Sequence, residues 1–287
     1  MKLKNSTAEI FVPDGLPLAE ALGRITHLGI GAHQDDLEFM AFHGIIACHR
    51  SSAEWFGGVT CTNGAGSARA GSYANFTHAQ MRAIRREEQN QAARIGCYGV
   101  MIQLDHPSQA VKAPKSTALR EDLIEILHAT RPRVVYTHNL ADKHDTHLAV
   151  TVAAIEAMRA LPRAARPETV HGCEMWRDLD WMEDTEKIVH DLTGHDSLAA
   201  ALKGVFESQI AGGKRYDLGV AGRRRANATF FESHAVDRAD SIAFAMDLTP
   251  LVRDASMDID AYADGFIERF RANVRAKLRA YLEGPEN

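Results

Sequence analysis

Apolar and polar positions divide this chain into short apolar runs and longer stretches with helical spacing. The short runs, each ended by a polar cluster, predict buried strands at about 25–32, 55–60, 100–104 and 133–137. The longer stretches predict helices at about 37–50, 78–95, 117–129 and 145–161. Strands that alternate with helices in this way form parallel βαβ units. We therefore expect an α/β fold with a doubly wound, mostly parallel Rossmann-like sheet and helices on both faces.

Beyond residue 170 the pattern changes. Runs at 170–176 and 187–191 predict two more strands, and a helix is expected at about 197–210. No internal repeat or low-complexity linker interrupts the chain. We expect a single domain over 1–287, with a core at about 25–160 and a C-terminal elaboration at about 170–287.

The stretch 258–282 is charged and carries apolar residues at helical spacing, namely Ile267, Phe270, Val274 and Leu278. This spacing predicts an amphipathic helix. The pattern leaves open whether the helix packs on its own domain or forms an interface, so a homo-oligomer is one expectation.

Composition narrows the class of protein. An apolar fraction of 45% and a charged fraction of 25% match an ordinary soluble globular protein. A net charge of −5 with scattered Lys and Arg argues against a nucleic-acid partner. The run Arg223–Arg225 could contact a phosphate, but such a short run is more often a solvated face.

Two further features bear on the compartment. No stretch approaches the roughly 20 apolar residues of a membrane span, and the N-terminal residues lack the apolar region of a secretory signal. The four cysteines have no paired spacing, which fits a reduced compartment. Three of them lie in apolar stretches, where a free cysteine is usually buried and inert. We expect a cytoplasmic protein without a membrane partner.

Candidate chemistry begins in the segment Gly31-Ala32-His33-Gln34-Asp35-Asp36-Leu37-Glu38, where a predicted strand ends and a helix begins. Ligand sites of open α/β sheets lie at this edge. His33 and Asp36 are close enough in one turn to bind one metal ion, which leaves Asp35 to accept a proton from metal-bound water. The alternative is that both aspartates cap the following helix, and this segment alone does not separate the two interpretations.

A second segment, Thr137-His138-Asn139-Leu140-Ala141-Asp142-Lys143-His144-Asp145-Thr146-His147, also follows a strand and opens a helix. His144 and His147 are three residues apart, so they lie on roughly one face of a first helical turn. An exposed polar turn capped by Asp142 or Asp145 is the alternative. Because both histidine-rich segments lie at strand-to-helix edges of one predicted sheet, a metal ion bound by both segments is favoured.

These segments resemble the PIG-L/LmbE family of zinc-dependent N-acetylglucosaminyl deacetylases over roughly residues 25–160. The family's Ala-His-Pro-Asp-Asp, followed two residues later by Glu, corresponds to Ala32–Asp36 and Glu38, and its His-x-x-His element corresponds to 144–147. The resemblance implies that Zn²⁺ binds His33, Asp36 and His147. It also implies that Asp35 is the general base and that protonated His144 steadies the oxyanion.

The resemblance extends to a helix and departs from the family at two positions. Arg85 and Glu88 resemble the family's Arg-x-x-Glu helix, which implies that Arg85 contacts substrate. Gln34 replaces the family's usual proline, and Thr146 stands where many members have Asp before the last His. A carboxylate that supports the neighbouring histidine must therefore come from Asp142, Asp145 or elsewhere.

The implied reaction is removal of the N-acetyl group from an N-acetylglucosamine-containing substrate, giving acetate and an amino sugar. The alternatives are an amidase that acts on another N-acyl or thiol-conjugate substrate, and a non-catalytic sugar- or nucleotide-binding module. Trp176 and Trp181 could stack on a sugar, although tryptophans in a mixed segment are more often packing residues. Substrate, physiological metal and oligomeric state stay open from sequence.

Overall fold

A computed structural model describes residues 1–113 and 117–282. In this part of the chain eight strands form one open sheet in the order β1-β4-β3-β2-β5-β6-β8-β7. The strands are β1 (Glu9–Phe11), β2 (His27–Gly31), β3 (Phe56–Thr62), β4 (Val100–His106), β5 (Val134–His138), β6 (Thr169–Cys173), β7 (Ile188–Asp191) and β8 (Ile242–Asp247). The last five positions of the expected elaboration, 283–287, lie outside the described residues.

The helices connect these strands and cover the sheet. They are α1 (Leu18–Gly23), α2 (Asp36–Met40), α3 (Phe42–Cys48), α4 (His78–Ile95), α5 (Ser108–Val111), α6 (Ala118–Thr130), α7 (Asp145–Ala160), α8 (Asp196–Gly204), α9 (Glu207–Ile210), α10 (Tyr216–Ala228), α11 (Thr249–Arg253) and α12 (Ile259–Leu282). One apolar core includes Ile30, Val59 and Ile102, and a second includes Phe42 and Phe56. Because strand side chains alternate between faces, two cores place packing on both faces of the sheet.

Strand pairing fixes the position of the site. β2 pairs in parallel with β3 on one side and with β5 on the other, with Leu28 opposite Gly57 and Val135. Strands β3 and β4 therefore extend the sheet on one side of β2, and β5 and β6 extend it on the other. This reversal of strand order creates a topological switch point where the carboxyl ends of β2 and β5 lie side by side. Ligands bind in the crevice outside such a point.

The mostly parallel α/β prediction is confirmed, with three antiparallel additions at the edges. β1 pairs antiparallel with β4, and β8 pairs antiparallel with both β6 and β7. The strands after residue 168 extend the same hydrogen-bonded sheet, and the single domain over 1–287 stays a prediction.

Several predicted elements differ in their bounds. The helix expected at 37–50 is two helices, α2 and α3, joined at Ala41. The helix expected at 197–210 is likewise divided into α8 and α9. The sequence pattern did not predict β1, α1, α5, α10, β8 and α11.

The C-terminal helix is present as α12, and the described part of its own chain covers its apolar stripe only in part. Ile267, Phe270, Val274 and Leu278 are 39–57% exposed, whereas Phe266 is buried. The homo-oligomer stays a prediction.

The structure also shows the positions of the four cysteines and the character of the helices. Cys48, Cys61 and Cys173 are buried, as predicted for inert thiols, and the fourth cysteine, Cys97, is half-buried and also free. Among the helices of residues 1–113 and 117–282, none combines the length and apolarity needed to cross a membrane.

Candidate metal centre and active-site cleft

The turn after β2 folds Asp36 back towards His33. The His33 backbone N–H donates to Asp36 Oδ2 at 2.6 Å, and the Asp36 N–H donates to the His33 carbonyl at 3.3 Å. A short side chain that accepts from the backbone a few residues away is a common way to close such a turn. The turn therefore brings the two candidate ligands to one side, at the first residue of α2.

The loop after β5 is ordered by Asp142. Its Oδ1 accepts the His144 backbone N–H at 2.9 Å, and its Oδ2 accepts the Trp176 N–H at 3.1 Å. His144 is the N-cap of α7, because its Nδ1 accepts the Thr146 N–H at 3.2 Å. This arrangement places His147 in the first turn of α7, facing the turn after β2.

His33, Asp36 and His147 converge as the sequence predicts. His33 Nδ1 lies 3.3 Å from His147 Nε2, and Asp36 lies 3.4 Å from His33 Nδ1 through Oδ2 and 3.5 Å from His147 Nε2 through Oδ1. Ligand atoms about 2.0–2.1 Å from a tetrahedral zinc ion are separated by about 3.3 Å. Two imidazoles and one carboxylate at this spacing fit zinc with a coordination position left for substrate or water.

Asp142 supplies the supporting carboxylate that Thr146 cannot. Its Oδ1 lies 3.4 Å from His147 Nδ1, the ring nitrogen that faces away from the triad. A carboxylate behind a ligand histidine fixes the ring orientation and raises the basicity of the other nitrogen. Asp142 therefore supports His147, whereas its contact with His144 is through the backbone.

His138 is a site residue to which sequence analysis gave no role. It is fully buried at the end of β5, its ring stacks on His147 at a centroid distance of 3.8 Å, and its Nε2 lies 3.4 Å from Asp36 Oδ2. That nitrogen accepts the Ala32 N–H at 3.0 Å, so it carries no proton. Burial, together with the neighbouring His147, lowers the pKa of His138 to about 4. His138 thus packs as a neutral ring beneath the ligands.

The electrostatics of the triad favour a cation. Although burial opposes charge at His147, the carboxylates of Asp36 and Asp142 raise its pKa to about 9. Burial likewise opposes ionisation of Asp36, but His147 and His138 lower its pKa well below its ordinary value. A buried site that stabilises positive charge in this way suits a metal ion as well as a proton.

Asp35 lies beside the triad in a strained backbone conformation. Its φ of +95° is in the left-handed region, which costs a non-glycine residue about 1–3 kcal/mol. Two contacts compensate for this strain: the Asp35 N–H donates to Gln89 Oε1 at 3.1 Å, and Arg85 Nη2 lies 3.0 Å from Asp35 Oδ2. Burial raises the pKa of Asp35 well above its usual range; Arg85 opposes this increase and Asp36 adds to it. A carboxylate with a raised pKa suits proton transfer.

Arg85 is buried against this turn. Its guanidinium also donates to the Gln34 carbonyl and to Ser67 Oγ. The side chain lines the cleft, yet its donors are directed largely at the protein, so it positions Asp35. Contact with substrate stays a prediction. Glu88, one turn further along α4, accepts two hydrogen bonds from Ser208 of α9 and does not line the cleft.

The residue that replaces the family proline makes contacts that proline cannot make. Gln34 is buried, and its Nε2 donates to the Thr62 carbonyl at 3.1 Å and to Gln103 Oε1 at 3.2 Å. The amide thus connects the turn to β3 and β4.

Glu38, the last residue of the first motif, is buried and accepts hydrogen bonds from core residues. Its Oε1 accepts from Tyr98 Oη at 2.7 Å and from Gln89 Nε2 at 2.8 Å, while the same Gln89 side chain accepts from Asp35. Burial raises the pKa of Glu38 to about 7. This chain of hydrogen bonds connects Asp35 to the core.

His144 lies at the edge of the triad, with its ring 5.0 Å from that of His33 and 4.7 Å from that of His147. Because Nδ1 accepts a backbone N–H, Nε2 carries the ring proton. Burial, with the neighbouring His147 and His33, lowers the pKa of His144. The structure therefore favours a neutral Nε2–H donor over the protonated ring expected from sequence.

The cleft above the triad has a volume of about 650 Å³. Asp35, Arg85 and His144 line it, as do Gly64, Gly66, Ser67 and Ala68 of the loop after β3. Trp176 and Tyr216 form an aromatic wall, with ring centroids 4.5 Å apart. Tyr216 was not predicted, because it follows a Gly-Gly break with no motif of its own.

Two other candidates lie elsewhere. Trp181 is not part of the cleft lining and instead packs against Phe270 of α12. In the run Arg223–Arg225, Arg224 is buried and Arg225 forms ion pairs with Asp196 and Asp240, so the run is neither a wholly solvated face nor a phosphate site on the cleft.

The fold and the triad define an open α/β protein with a metal-type His-Asp-His centre at its switch point. Residues 28–158 match the family model described as PIG-L, GlcNAc-PI de-N-acetylase. This match confirms the resemblance to the PIG-L family that the two sequence segments predict. A search of curated proteins found no match.

Solved structures share the fold at low sequence identity. 4-Carboxy-2-hydroxymuconate hydratase GalB from Pseudomonas putida KT2440 is 20% identical, with a TM-score of 0.59 over 78% of this chain and 96% of the hydratase. N,N'-Diacetylchitobiose deacetylase from Pyrococcus horikoshii is 19% identical, with a TM-score of 0.56 over 76% of this chain and 83% of the deacetylase. The A40926 pseudoaglycone deacetylase Dbv21 is 14% identical, with a TM-score of 0.56 over 78% and 97%.

Proposed function

We propose that this protein is a zinc-dependent hydrolase that removes the N-acetyl group from an N-acetylglucosamine-containing substrate. The observation that carries the proposal is the cluster of His33, Asp36 and His147 beside the buried carboxyl of Asp35. The two imidazole nitrogens lie 3.3 Å apart, and each lies 3.4–3.5 Å from one of the two Asp36 oxygens. The family model and the two deacetylases of the same fold support amide hydrolysis as the reaction.

His33, Asp36 and His147 would hold the metal. When bound there, zinc supplies a Lewis acid that polarises oxygen and lowers the pKa of water towards about 7. The buried surroundings of Asp36 and His147 keep these ligands oriented before the metal arrives, because Asp142 and the turn hydrogen bonds fix both side chains.

Asp35 would act as the base. It accepts one proton from the attacking water as the water oxygen forms a bond to the acetyl carbon. The same proton then passes to the amine nitrogen as the carbon–nitrogen bond breaks, so acetate and an amino sugar are formed. Arg85, whose Nη2 lies 3.0 Å from Asp35 Oδ2, would hold the Asp35 carboxyl group in position.

His144 would stabilise the charge that develops on the acetyl oxygen. Its Nε2–H is the ring's donor, since Nδ1 is occupied by the Thr146 N–H. A donor fixed by a helix cap needs no reorganisation as the charge forms. Trp176 and Tyr216 would contact the sugar ring through their faces.

The hydratase of the same fold shows that this architecture also serves a reaction other than amide hydrolysis in another protein. Acetate release is therefore the decisive measurement. We expect the zinc-loaded protein to release acetate from N-acetylglucosamine, its 6-phosphate or its disaccharide, and to lose this activity after chelation and regain it with zinc.

Release of another acyl or thiol-conjugated group without acetate would identify the amidase alternative. No hydrolysis of any amide, together with absence of bound metal after zinc loading, would overturn the proposal in favour of a binding module.

A further inference from the structure

The mouth of the cleft carries three lysines from three separate segments. Lys112 follows α5, Lys143 directly precedes His144, and Lys214 lies two residues before Tyr216. All three are exposed and line the same cleft as the triad. The chain has nine lysines and a net charge of −5, so three lysines around one cleft is a local concentration of positive charge.

These lysines are not paired with acids. Within residues 1–113 and 117–282, none of the three ammonium groups lies within 4.0 Å of a carboxylate, whereas Lys4 lies 2.6 Å from Glu121 and Lys187 lies 2.7 Å from Asp184. Among the described residues Lys2, Lys203 and Lys277 also have no carboxylate within this distance, so the cleft is distinguished by the gathering of three unpaired lysines around one concave surface.

The acids of the cleft do not compensate for this charge. Asp35 and Asp36 are the acidic residues in the lining of the described cleft, and both are buried at its base. Asp35 is ion-paired with Arg85, and Asp36 lies among His33, His138 and His147. The positive charge at the mouth thus faces the space that a substrate would occupy.

Like charges gathered around a concave surface repel one another and raise the local concentration of anions. We propose that the substrate carries an anionic group, a phosphate ester or a carboxylate, which Lys112, Lys143 and Lys214 bind while its amide lies at the triad. Trp176 and Tyr216 contact the uncharged part between the two ends. This inference rests on the proposed function for the identity of the amide, but the anion site stands on the lysines alone.

The kinetic test compares three N-acetyl sugars: neutral N-acetylglucosamine, N-acetylglucosamine 6-phosphate and the carboxylate N-acetylmuramic acid. We expect kcat/KM for acetate release to be about tenfold or more higher for at least one anionic sugar than for the neutral one. Whichever anion is preferred identifies the phosphate or the carboxylate as the recognised group. The preference should shrink when salt is raised from about 50 to about 300 mM, because ions screen exposed charges.

The variant K112M/K143M/K214M retains the side-chain stems and removes the charges. It should lose most of the ratio between anionic and neutral substrates, and the matched control Lys277→Met, on exposed α12, should retain that ratio. Equal kcat/KM for neutral and anionic sugars in the wild type would overturn the inference and leave amide hydrolysis intact.

A binding measurement separates this failure from failure of the proposed function. Calorimetric titration of the Asp35→Asn protein with N-acetylglucosamine 6-phosphate needs no turnover. We expect an affinity about tenfold or more above that for N-acetylglucosamine, lost when the three lysines are also replaced. Equal affinities would overturn the anion site even if no acetate is released from any sugar.

Discussion

At the scale of single residues, Asp35 depends on its neighbours for both position and charge. Gln89 accepts its N–H, Arg85 lies against its carboxylate, and burial raises its pKa. It is adjacent in sequence to Asp36, yet only Asp36 belongs to the triad of ligand atoms. The two neighbouring carboxylates therefore have different surroundings, and the proposed function gives them different roles.

The Asp35→Asn variant tests this division. An amide cannot accept the proton of the attacking water, so acetate release should fall by about 10²–10⁴-fold, the usual contribution of a general base. Bound zinc should be unchanged by elemental analysis, because the triad is intact. Near-normal turnover would refute the role of Asp35, and loss of zinc would make it a ligand.

His147 is the proposed metal ligand from the second segment. His147→Ala removes one of three ligand atoms and leaves Asp36 and His33, so we expect purified protein to lose zinc. The matched control is His128→Ala, an exposed histidine on α6, which should retain zinc. Circular dichroism of both variants would establish that the fold is retained. A full equivalent of zinc in His147→Ala would exclude this histidine as a ligand.

At the scale of elements, α10 is fixed to the site by one buried cation. Arg224 donates to the carbonyls of Glu38 and Phe39 at 3.3 and 2.8 Å, and its guanidinium lies 4.7 Å from the centre of the Phe42 ring. These contacts join α10 to α2 and α3, directly behind the turn that carries Asp35 and Asp36.

Arg224→Ala should therefore lower the free energy of unfolding by about 2–4 kcal/mol, since it leaves buried carbonyls without a donor and opens a cavity. Arg225→Ala is the control, because its exposed ion pairs contribute about 0–1 kcal/mol. Urea denaturation followed by circular dichroism measures both. Similar losses in the two variants would contradict the assignment of Arg224 as the buried connection.

Close packing of α3 on β5 depends on Gly44. A Cβ at this position would lie 2.5 Å from Cε2 of Tyr136, whose ring is buried and has no room to move. We expect Gly44→Ala to lower the free energy of unfolding by about 1–3 kcal/mol through overpacking.

Gly222→Ala is the matched control, in an exposed position on α10 where an added Cβ meets no atom within 4 Å. Because alanine is the better helix former, this variant should gain about 0.5–1 kcal/mol. Denaturant midpoints of the two variants that move in the same direction would contradict the packing argument.

Elements also differ in how well local pattern predicts them. The bounds of α4 match the prediction because its polar face and its Thr77 capping box are local signals. The break at Ala41 was missed because residues 36–42 are all buried, so the sequence has no exposed face to mark it. α10 was missed because two glycines lower its helix propensity and three consecutive arginines interrupt its apolar spacing. Arg224 stabilises this helix through tertiary contacts.

At the scale of the whole molecule, a second group of histidines lies away from the triad, among β5, β6, β7 and α3. His190 Nε2 lies 3.0 Å from His171 Nδ1, and His43 stacks on His190 at 4.2 Å. Burial lowers the pKa of His171 to about 4; His43 adds to this decrease and Asp247 opposes it. Burial lowers the pKa of His190 as well. Both rings are therefore neutral in the folded protein.

This group predicts acid sensitivity. In the unfolded chain a histidine takes up its proton below pH about 6.5, whereas His171 does so only near pH 4, so stability is lost as the pH falls through this window. For His171 alone the loss between pH 7 and pH 5 is on the order of 2 kcal/mol. His171→Gln should show a correspondingly smaller loss in urea denaturation, while the exposed His128→Gln should follow the wild type. Parallel pH dependences in wild type and His171→Gln would refute the prediction.

The sequence by itself determined the alternation of strands and helices, the parallel core of the sheet and the two segments that carry the candidate metal ligands. These follow from periodicity and from the rule that parallel strands end at one edge, which need no knowledge of distant contacts. Tertiary structure decided what depends on residues far apart in the chain. It placed Asp142 behind His147, buried Arg224 under the site, and brought three lysines from separate loops to one cleft. Such contacts are fixed by strand register and helix packing, so no local pattern specifies them.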